Sequence, residues 1–239
     1  MVHTTNAIVI GARKYGEADL IATCFTESDG VKTYMLRGIL KSKKGKIRAS
    51  HFQLLTQLEI EATHKNKGTL EYLKDAKIAV PYQTLHTDVI KSCLVMFLSE
   101  ILTSTIREEE KNEGLYQFLS GSLELLDHAD DFANFHIFFM LQLSMHLGFY
   151  PDDTSVDLPY FNLLDGLFQD EVTNIYCEKG LYIEALKGFF GINFDEAMGI
   201  KLTKTQRSGV LNLLLLYYQL HLQGFKKPKS LEVLQQLFN

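Results

Sequence analysis

Leu20-Ile21-Ala22-Thr23-Cys24-Phe25, then Glu27-Ser28-Asp29-Gly30, then Val31-Lys32-Thr33-Tyr34-Met35-Leu36, reads as two β-prone runs about an Asp-Gly turn. In the second run Val31, Thr33 and Met35 share one face, and Lys32, Tyr34 and Leu36 share the other. Upstream, Ala7-Ile8-Val9-Ile10 is a further short run, set apart by the turn-like cluster Lys14-Tyr15-Gly16-Glu17-Ala18-Asp19. Downstream, Leu54 to His64 alternates in places, with Leu58, Ile60 and Ala62 against Gln57, Glu59 and Glu61. A turn at Lys65-Asn66-Lys67-Gly68 then leads into Leu70 to Ile78. Five strands in about 75 residues, with glycine at the turns, predict a small Greek-key barrel. A sandwich of so few strands would bury little.

After Pro81 the period changes to helical. Leu85, Val89, Cys93, Phe97 and Leu98 form one stripe, and Leu115, Leu119, Leu123 and Leu126 form another. Phe135 to Leu147 is apolar nearly all round, which predicts the buried centre of a bundle. Thr203-Lys204-Thr205-Gln206 has the capping-box pattern ahead of Val210 to Leu222. A last short helix starts near Ser230. Residues 152–195 are irregular and are expected to form an insertion between helices. The fold class is therefore α+β and multidomain: a β-barrel over 1–80, then an all-α domain over 81–239.

Charge follows the same division. Residues 1–80 hold 13 Lys+Arg against 8 Asp+Glu, and residues 81–239 hold 11 against 21. No acidic residue occurs between Asp29 and Glu59, where Lys32, Arg37, Lys41, Lys43, Lys44, Lys46 and Arg48 lie. Ordinary surfaces mix signs, so a one-sided stretch in an acidic chain points to a polyanion partner. With 46% hydrophobic and 22% charged residues, the 239-residue chain has globular composition. Cys24, Cys93 and Cys177 are too few and too scattered for a disulfide framework and fit a reducing compartment. Met1 to Asn6 lacks a signal-peptide pattern, and Leu213 to Tyr218 is too short to span a bilayer. These features predict a soluble cytoplasmic protein.

Catalytic patterns are missing. Gly38 and Gly45-Lys46 do not keep phosphate-loop spacing, and Ile47 stands where a hydroxyl would bind magnesium. None of the eight histidines has metal-site spacing, so no metal is expected. His136 and His146 read as core or rim residues, and Cys24 as a small buried hydrophobe. No enzyme is expected.

A basic barrel with exposed aromatics suits single-stranded nucleic acid, with cations on phosphates and rings stacked on bases. The candidate backbone contacts are Arg37, Lys41, Lys43, Lys44, Lys46 and Arg48, with Arg13 and Lys14 as neighbours. Tyr15 and Tyr34 are candidates for stacking, against core packing as the alternative.

Asn6-Ala7-Ile8-Val9-Ile10 followed by Arg13-Lys14-Tyr15-Gly16-Glu17-Ala18-Asp19 resembles the opening of the RecO family of recombination mediators. The similarity continues through Arg37-Gly38 to Phe52-Gln53-Leu54-Leu55. It returns at Phe135 to Pro151, ending in Leu147-Gly148-Phe149-Tyr150-Pro151, and again from Tyr218 to Leu234. The resemblance implies an N-terminal OB-fold and a helical C-terminal domain in a cytoplasmic, nucleoid-associated bacterial DNA repair protein. It also implies binding of single- and double-stranded DNA, strand annealing, and help in loading RecA onto strands coated by single-strand-binding protein (SSB). RecR and the acidic, apolar C-terminal tail of SSB are the implied partners. Many members hold zinc with four cysteines in the inter-helix insertion. Here only Cys177 remains, while Leu158, Tyr160, Phe161, Leu164 and Phe168 crowd the region. Residues 152–195 are thus expected to be a degenerate zinc finger in which apolar packing replaces the metal, leaving no cofactor.

Lys201, Lys204, Arg207, Lys226, Lys227 and Lys229 form a weaker candidate site for an acidic partner peptide, against helix capping as the alternative. Two other functions fit the same residues: an RNA-binding OB-fold protein, and a non-catalytic interaction adaptor.

Overall fold

The computed structural model describes residues 2–42, 46–64, 70–107 and 110–237. By compactness the chain divides into Met1–His128 with Pro228–Ser230, and Ala129–Lys227 with Leu231–Asn239.

In the first unit, β1 (Val2–Tyr15), β2 (Asp19–Thr26), β3 (Gly30–Leu36), β4 (Gln57–Thr63) and β5 (Tyr72–Ile78) form an antiparallel sheet in the order β3-β2-β1-β4-β5. The Asp29-Gly30 pair makes the β2–β3 hairpin, with Gly30 at φ 65, a conformation open to glycine. The outer strands meet through a parallel bridge between Tyr34 and Glu71, and the Glu71 amide donates to the Thr33 carbonyl at 2.8 Å. Closure of this strand order by a parallel β3–β5 contact gives the five-stranded, OB-like Greek-key barrel. The expected turn at 65–68 lies outside the described residues.

Alternation sorts the strand residues. Ala7, Val9, Leu20, Ala22, Cys24, Tyr34, Leu36, Leu58, Ile60 and Ala62 fill the barrel interior. Ile8, Ile10, Ile21 and Phe25 point the other way, yet they too are buried. Helices α1 (Val89–Thr105) and α2 (Glu113–His128) account for this second apolar face. A register shift between Val9 and Gly11 loosens the β1–β2 ladder at Ile10. The Ile10 carbonyl accepts instead from Ser99 Oγ at 2.7 Å and Thr103 Oγ1 at 2.8 Å, both on α1. Phe25 packs against Tyr116 of α2 at 6.2 Å between ring centroids.

These contacts put α1 and α2 in the barrel's unit, whereas the sequence suggested a division at 80/81. A sheet apolar on both faces needs a second layer, and the next two helices in the chain supply it. Asp127 fastens the connection. Its carboxylate accepts from the Thr84 amide at 2.8 Å and the Leu85 amide at 2.7 Å, and its carbonyl accepts from Lys91 Nζ at 2.8 Å.

Of the first helical stripe, Leu85, Phe97 and Leu98 are buried as expected, Cys93 is half-buried, and Val89 alone is exposed. Asp88 caps α1 by accepting from the amides of Ile90 and Lys91, which leaves Val89 exposed on the opening turn. Leu94, Val95, Ile101 and Leu102 join Phe97 and Leu98 on the buried face. In α2, Leu115, Leu119, Leu123 and Leu126 are buried as expected.

The second unit is built on α3 (Phe135–His146) and α6 (Lys204–His221), followed by α7 (Leu231–Leu237). Both halves of the Thr203–Gln206 capping box form at the start of α6. Residues 152–195 have more regular structure than expected. They hold β6 (Tyr160–Asn162), β7 (Leu167–Gln169) and β8 (Cys177–Glu178) in the order β7-β6-β8, then α4 (Leu181–Lys187) and α5 (Phe194–Gly199). Phe161 and Phe168 are buried as an aromatic pair, with Phe161 also against Tyr217, but Leu158 and Leu164 are exposed. Cys177 meets Gln169 Nε2 at 3.3 Å and Thr173 Oγ1 at 3.6 Å. One thiol in this setting does not match a four-thiolate ion. Cys24 lies in the barrel interior, where burial pushes its thiol up to about 12, so it is no thiolate nucleophile at neutral pH.

Candidate nucleic-acid interface

The β3–β5 junction opens on a cavity of about 710 Å³, whose wall includes Arg37, Ser42, Lys46, Leu70, Tyr72 and Lys74. Arg37 leaves the end of β3, and Lys46 lies on the segment that returns toward the 3-10 turn Ala49–Phe52. Tyr72 stands at the start of β5 with 65% of its surface exposed. Lys74, two residues on and on the same strand face, pairs with Glu61 at 2.9 Å. A polar rim of cations around an accessible ring can hold phosphates while a base stacks.

The segment after β3 also lies against the β1–β2 turn. The Gly38 amide donates to Asp19 Oδ1 at 2.7 Å, and the Leu40 amide to the Ala18 carbonyl at 2.9 Å. Lys41 Nζ donates to Glu17 Oε2 at 3.2 Å, an exposed pair worth ~0–1 kcal/mol that a phosphate can displace. Arg13, Lys14 and Tyr15 are exposed at the end of β1, directly before this turn. Arg48 is exposed at the head of the 3-10 turn. Among the described residues, none of Arg13, Lys14, Arg37, Lys46 and Arg48 forms an ion pair. Lys43 and Lys44 lie outside the described residues.

Two sequence expectations change. Tyr34 is fully buried, and its hydroxyl lies 2.7 Å from His64 Nε2, so its ring is part of the core and not available to a base. Lys32 is buried on the same inward face and does not belong to the surface cations. Both follow from the alternation that also buries Leu36. The aromatic missed by sequence reasoning is Tyr72. Its signal was the alternation of Tyr72 and Lys74 against Leu73, which marks an outward face on β5.

The weaker candidate set divides. Lys204 and Lys227 line a cavity of about 810 Å³ with Tyr182, Gly209, Leu213 and Leu216. A side chain at Gly209 would overlap the Tyr182 ring, so glycine there lets the ring approach α6 closely. Arg207 turns away to Asn134, its Nε donating to Oδ1 at 3.1 Å. Lys201 and Lys226 are exposed and do not line this cavity, and Lys229 belongs with the first unit.

Comparison with known proteins puts the family boundary near the change from strands to helices, inside the compact first unit. Residues 1–82 match the family model for the recombination protein O N terminal region, and residues 86–177 match that for its C terminal region. The chain is 54% identical over 238 residues to the DNA repair protein RecO of Christiangramia forsetii, covering 100% of this chain and 99% of that one. It is 46% identical over 235 residues to the RecO of Flavobacterium johnsoniae, covering 98% of each. Identity to the RecO of Bacteroides fragilis is 32% over 248 residues, covering all of both chains. Among the described residues no helix is long and apolar enough to cross a membrane. An OB-like barrel with a cationic, aromatic-bearing edge, joined to helices and matched along its whole length, makes this chain a member of the RecO family of DNA repair proteins.

Proposed function

We propose that the chain binds single- and double-stranded DNA along the β3–β5 edge of its barrel, anneals complementary strands and helps load RecA onto SSB-coated DNA. The observation that carries this reading is the convergence of Arg37, Lys46 and the exposed Tyr72 on one cavity. Annealing needs no catalytic group. Two strands repel through their phosphates, and a cationic surface that holds both lowers that repulsion and raises their local concentration. Arg37, Lys46 and Arg48 supply this charge, with Arg13, Lys14 and Lys41 beside the β1–β2 turn. Lys43 and Lys44 complete the proposed set from the sequence alone.

The partner is the acidic, apolar SSB tail, and the cavity on α6 supports its docking. Lys204 and Lys227 offer two cations there, and Leu213, Leu216 and Tyr182 offer apolar walls. RecR as a second partner, action in the cytoplasm at the nucleoid, and the lack of a catalytic role rest on the family resemblance. We also infer that residues 152–195 hold no zinc, because Cys177 is their one thiol.

Strand annealing in the presence of full-length SSB, compared with SSB lacking its tail, tests both parts. Annealing that depends on the tail, and loses that dependence in Lys204→Glu/Lys227→Glu, supports the reading. No annealing of naked strands refutes the DNA part. A strong preference for RNA in competition would favour the RNA-binding alternative.

A further inference from the structure

Around the β2–β3 hairpin the barrel brings together three side chains that the DNA-binding reading does not use. His3 Nε2 lies 3.0 Å from Asp29 Oδ2 and 3.0 Å from His64 Nδ1, and His64 Nδ1 lies 3.0 Å from the same Asp29 oxygen. The three residues come from the start of β1, the β2–β3 turn and the residue after β4.

Hydrogen bonding cannot satisfy this triangle. Each neutral imidazole nitrogen either donates or accepts, and an ionised carboxylate only accepts. Every side of the triangle needs a donor facing an acceptor, and three vertices of two kinds always leave one side with like facing like. A cation above the triangle removes the conflict, since all three atoms then direct lone pairs at it.

We propose that His3, Asp29 and His64 bind a first-row divalent metal ion, with zinc as its ordinary occupant. Two imidazoles and one carboxylate are the donor set that suits such an ion better than magnesium or calcium. Ligand atoms about 3.0–3.3 Å apart form one face of the polyhedron around an ion with bonds of about 2.0–2.1 Å. Three protein ligands leave the remaining positions to water.

The surroundings orient the ligands. The His64 side chain is 1% exposed, and its other nitrogen, Nε2, meets the Tyr34 hydroxyl at 2.7 Å. Donation from Nε2 to that hydroxyl leaves Nδ1 as the lone-pair form that ligates metal. Ser28 Oγ donates to Asp29 Oδ2 at 2.5 Å and fixes the carboxylate. The ion would tie the first strand, the first hairpin and the end of the fourth strand to one point. It is separate from the cysteine site of other family members, and it does not depend on DNA binding.

Full-length protein stripped with EDTA, then loaded with Zn²⁺ and passed through gel filtration, tests the site. The expected content is one zinc per chain, with a melting temperature several degrees above that of the stripped protein. Co²⁺ loading should give the visible absorption of a histidine-bound, low-coordinate ion. His3→Ala, at a partly exposed position near the N-terminus, should lower zinc affinity at least tenfold, and so should Asp29→Asn. Cys177→Ser should leave the stoichiometry at one. Wild-type protein that retains no zinc overturns the proposal. Zinc content that is equal in the wild type and both ligand variants overturns it as well.

Discussion

The Glu71 amide donates to the Thr33 carbonyl at 2.8 Å, and this bond joins the two outer strands of a sheet that would otherwise have free edges. Glu71 also stands between Leu70 and Tyr72 on the wall of the cationic cavity. Barrel closure and the shape of the candidate DNA site thus depend on the same strand contact. Replacing Glu71 with Pro removes the donor. The unfolding midpoint in urea should fall by the equivalent of ~2 kcal/mol or more, with weaker DNA binding.

Tyr72 and Tyr34 separate stacking from packing. Tyr72→Ala should weaken single-stranded DNA binding by ~1–3 kcal/mol, with little loss of stability because the ring is exposed. Tyr34→Phe keeps the core ring but loses the contact with His64. It should leave DNA affinity unchanged and cost roughly 1 kcal/mol of stability. Fluorescence anisotropy and thermal melts on both variants measure this contrast.

Asp127 makes the first unit sensitive to acid. Burial raises its carboxyl pKa, but the amides of Gln83, Thr84 and Leu85 outweigh burial and hold it below the ordinary carboxylate value. The folded pKa lies below the unfolded one. Its stabilisation is therefore present above about pH 4 and is lost as pH falls through the folded value. In Asp127→Asn the side-chain NH₂ would face amide donors. The variant should be less stable at pH 7 by ~2 kcal/mol, and the gap should close as pH drops below about 4. Chemical denaturation across pH 3–7 follows both curves.

Ser99 and Thr103 hold the Ile10 carbonyl where the strand ladder releases it. Either substitution alone leaves one donor in place. Ser99→Ala with Thr103→Val leaves the buried carbonyl unpaired and should cost ~1–3 kcal/mol, more than the sum of the single changes. A double-mutant cycle by urea unfolding measures that excess.

Local pattern made much of the fold legible. The Asp29-Gly30 turn, the alternation in β3 and the leucine stripe of α2 are short-range signals, and each is present in the structure. Facing is a tertiary property. Lys32 and Tyr34 alternate with Val31 and Thr33 whichever side is core, so sequence alone could not assign Tyr34 to the interior. Phe97 and Leu98 keep the expected stripe of α1, but Val89, next to the cap at Asp88, lies on the exposed opening turn. The small β7-β6-β8 sheet has strands of two or three residues, too short to carry a period. His3, Asp29 and His64 are far apart along the chain, and only strand register brings them together.

The salt dependence of single-stranded DNA binding, measured for the wild type and for Arg37→Ala/Lys46→Ala/Arg48→Ala, tests the DNA interface most directly. Each phosphate contact contributes roughly 0.7 to the slope of log K against log salt for single strands. Loss of three contacts should flatten the slope by about 2 and weaken binding at low salt, while the melting temperature stays near the wild-type value. Unchanged affinity and slope in the folded triple variant would contradict the assignment of DNA binding to this edge of the barrel.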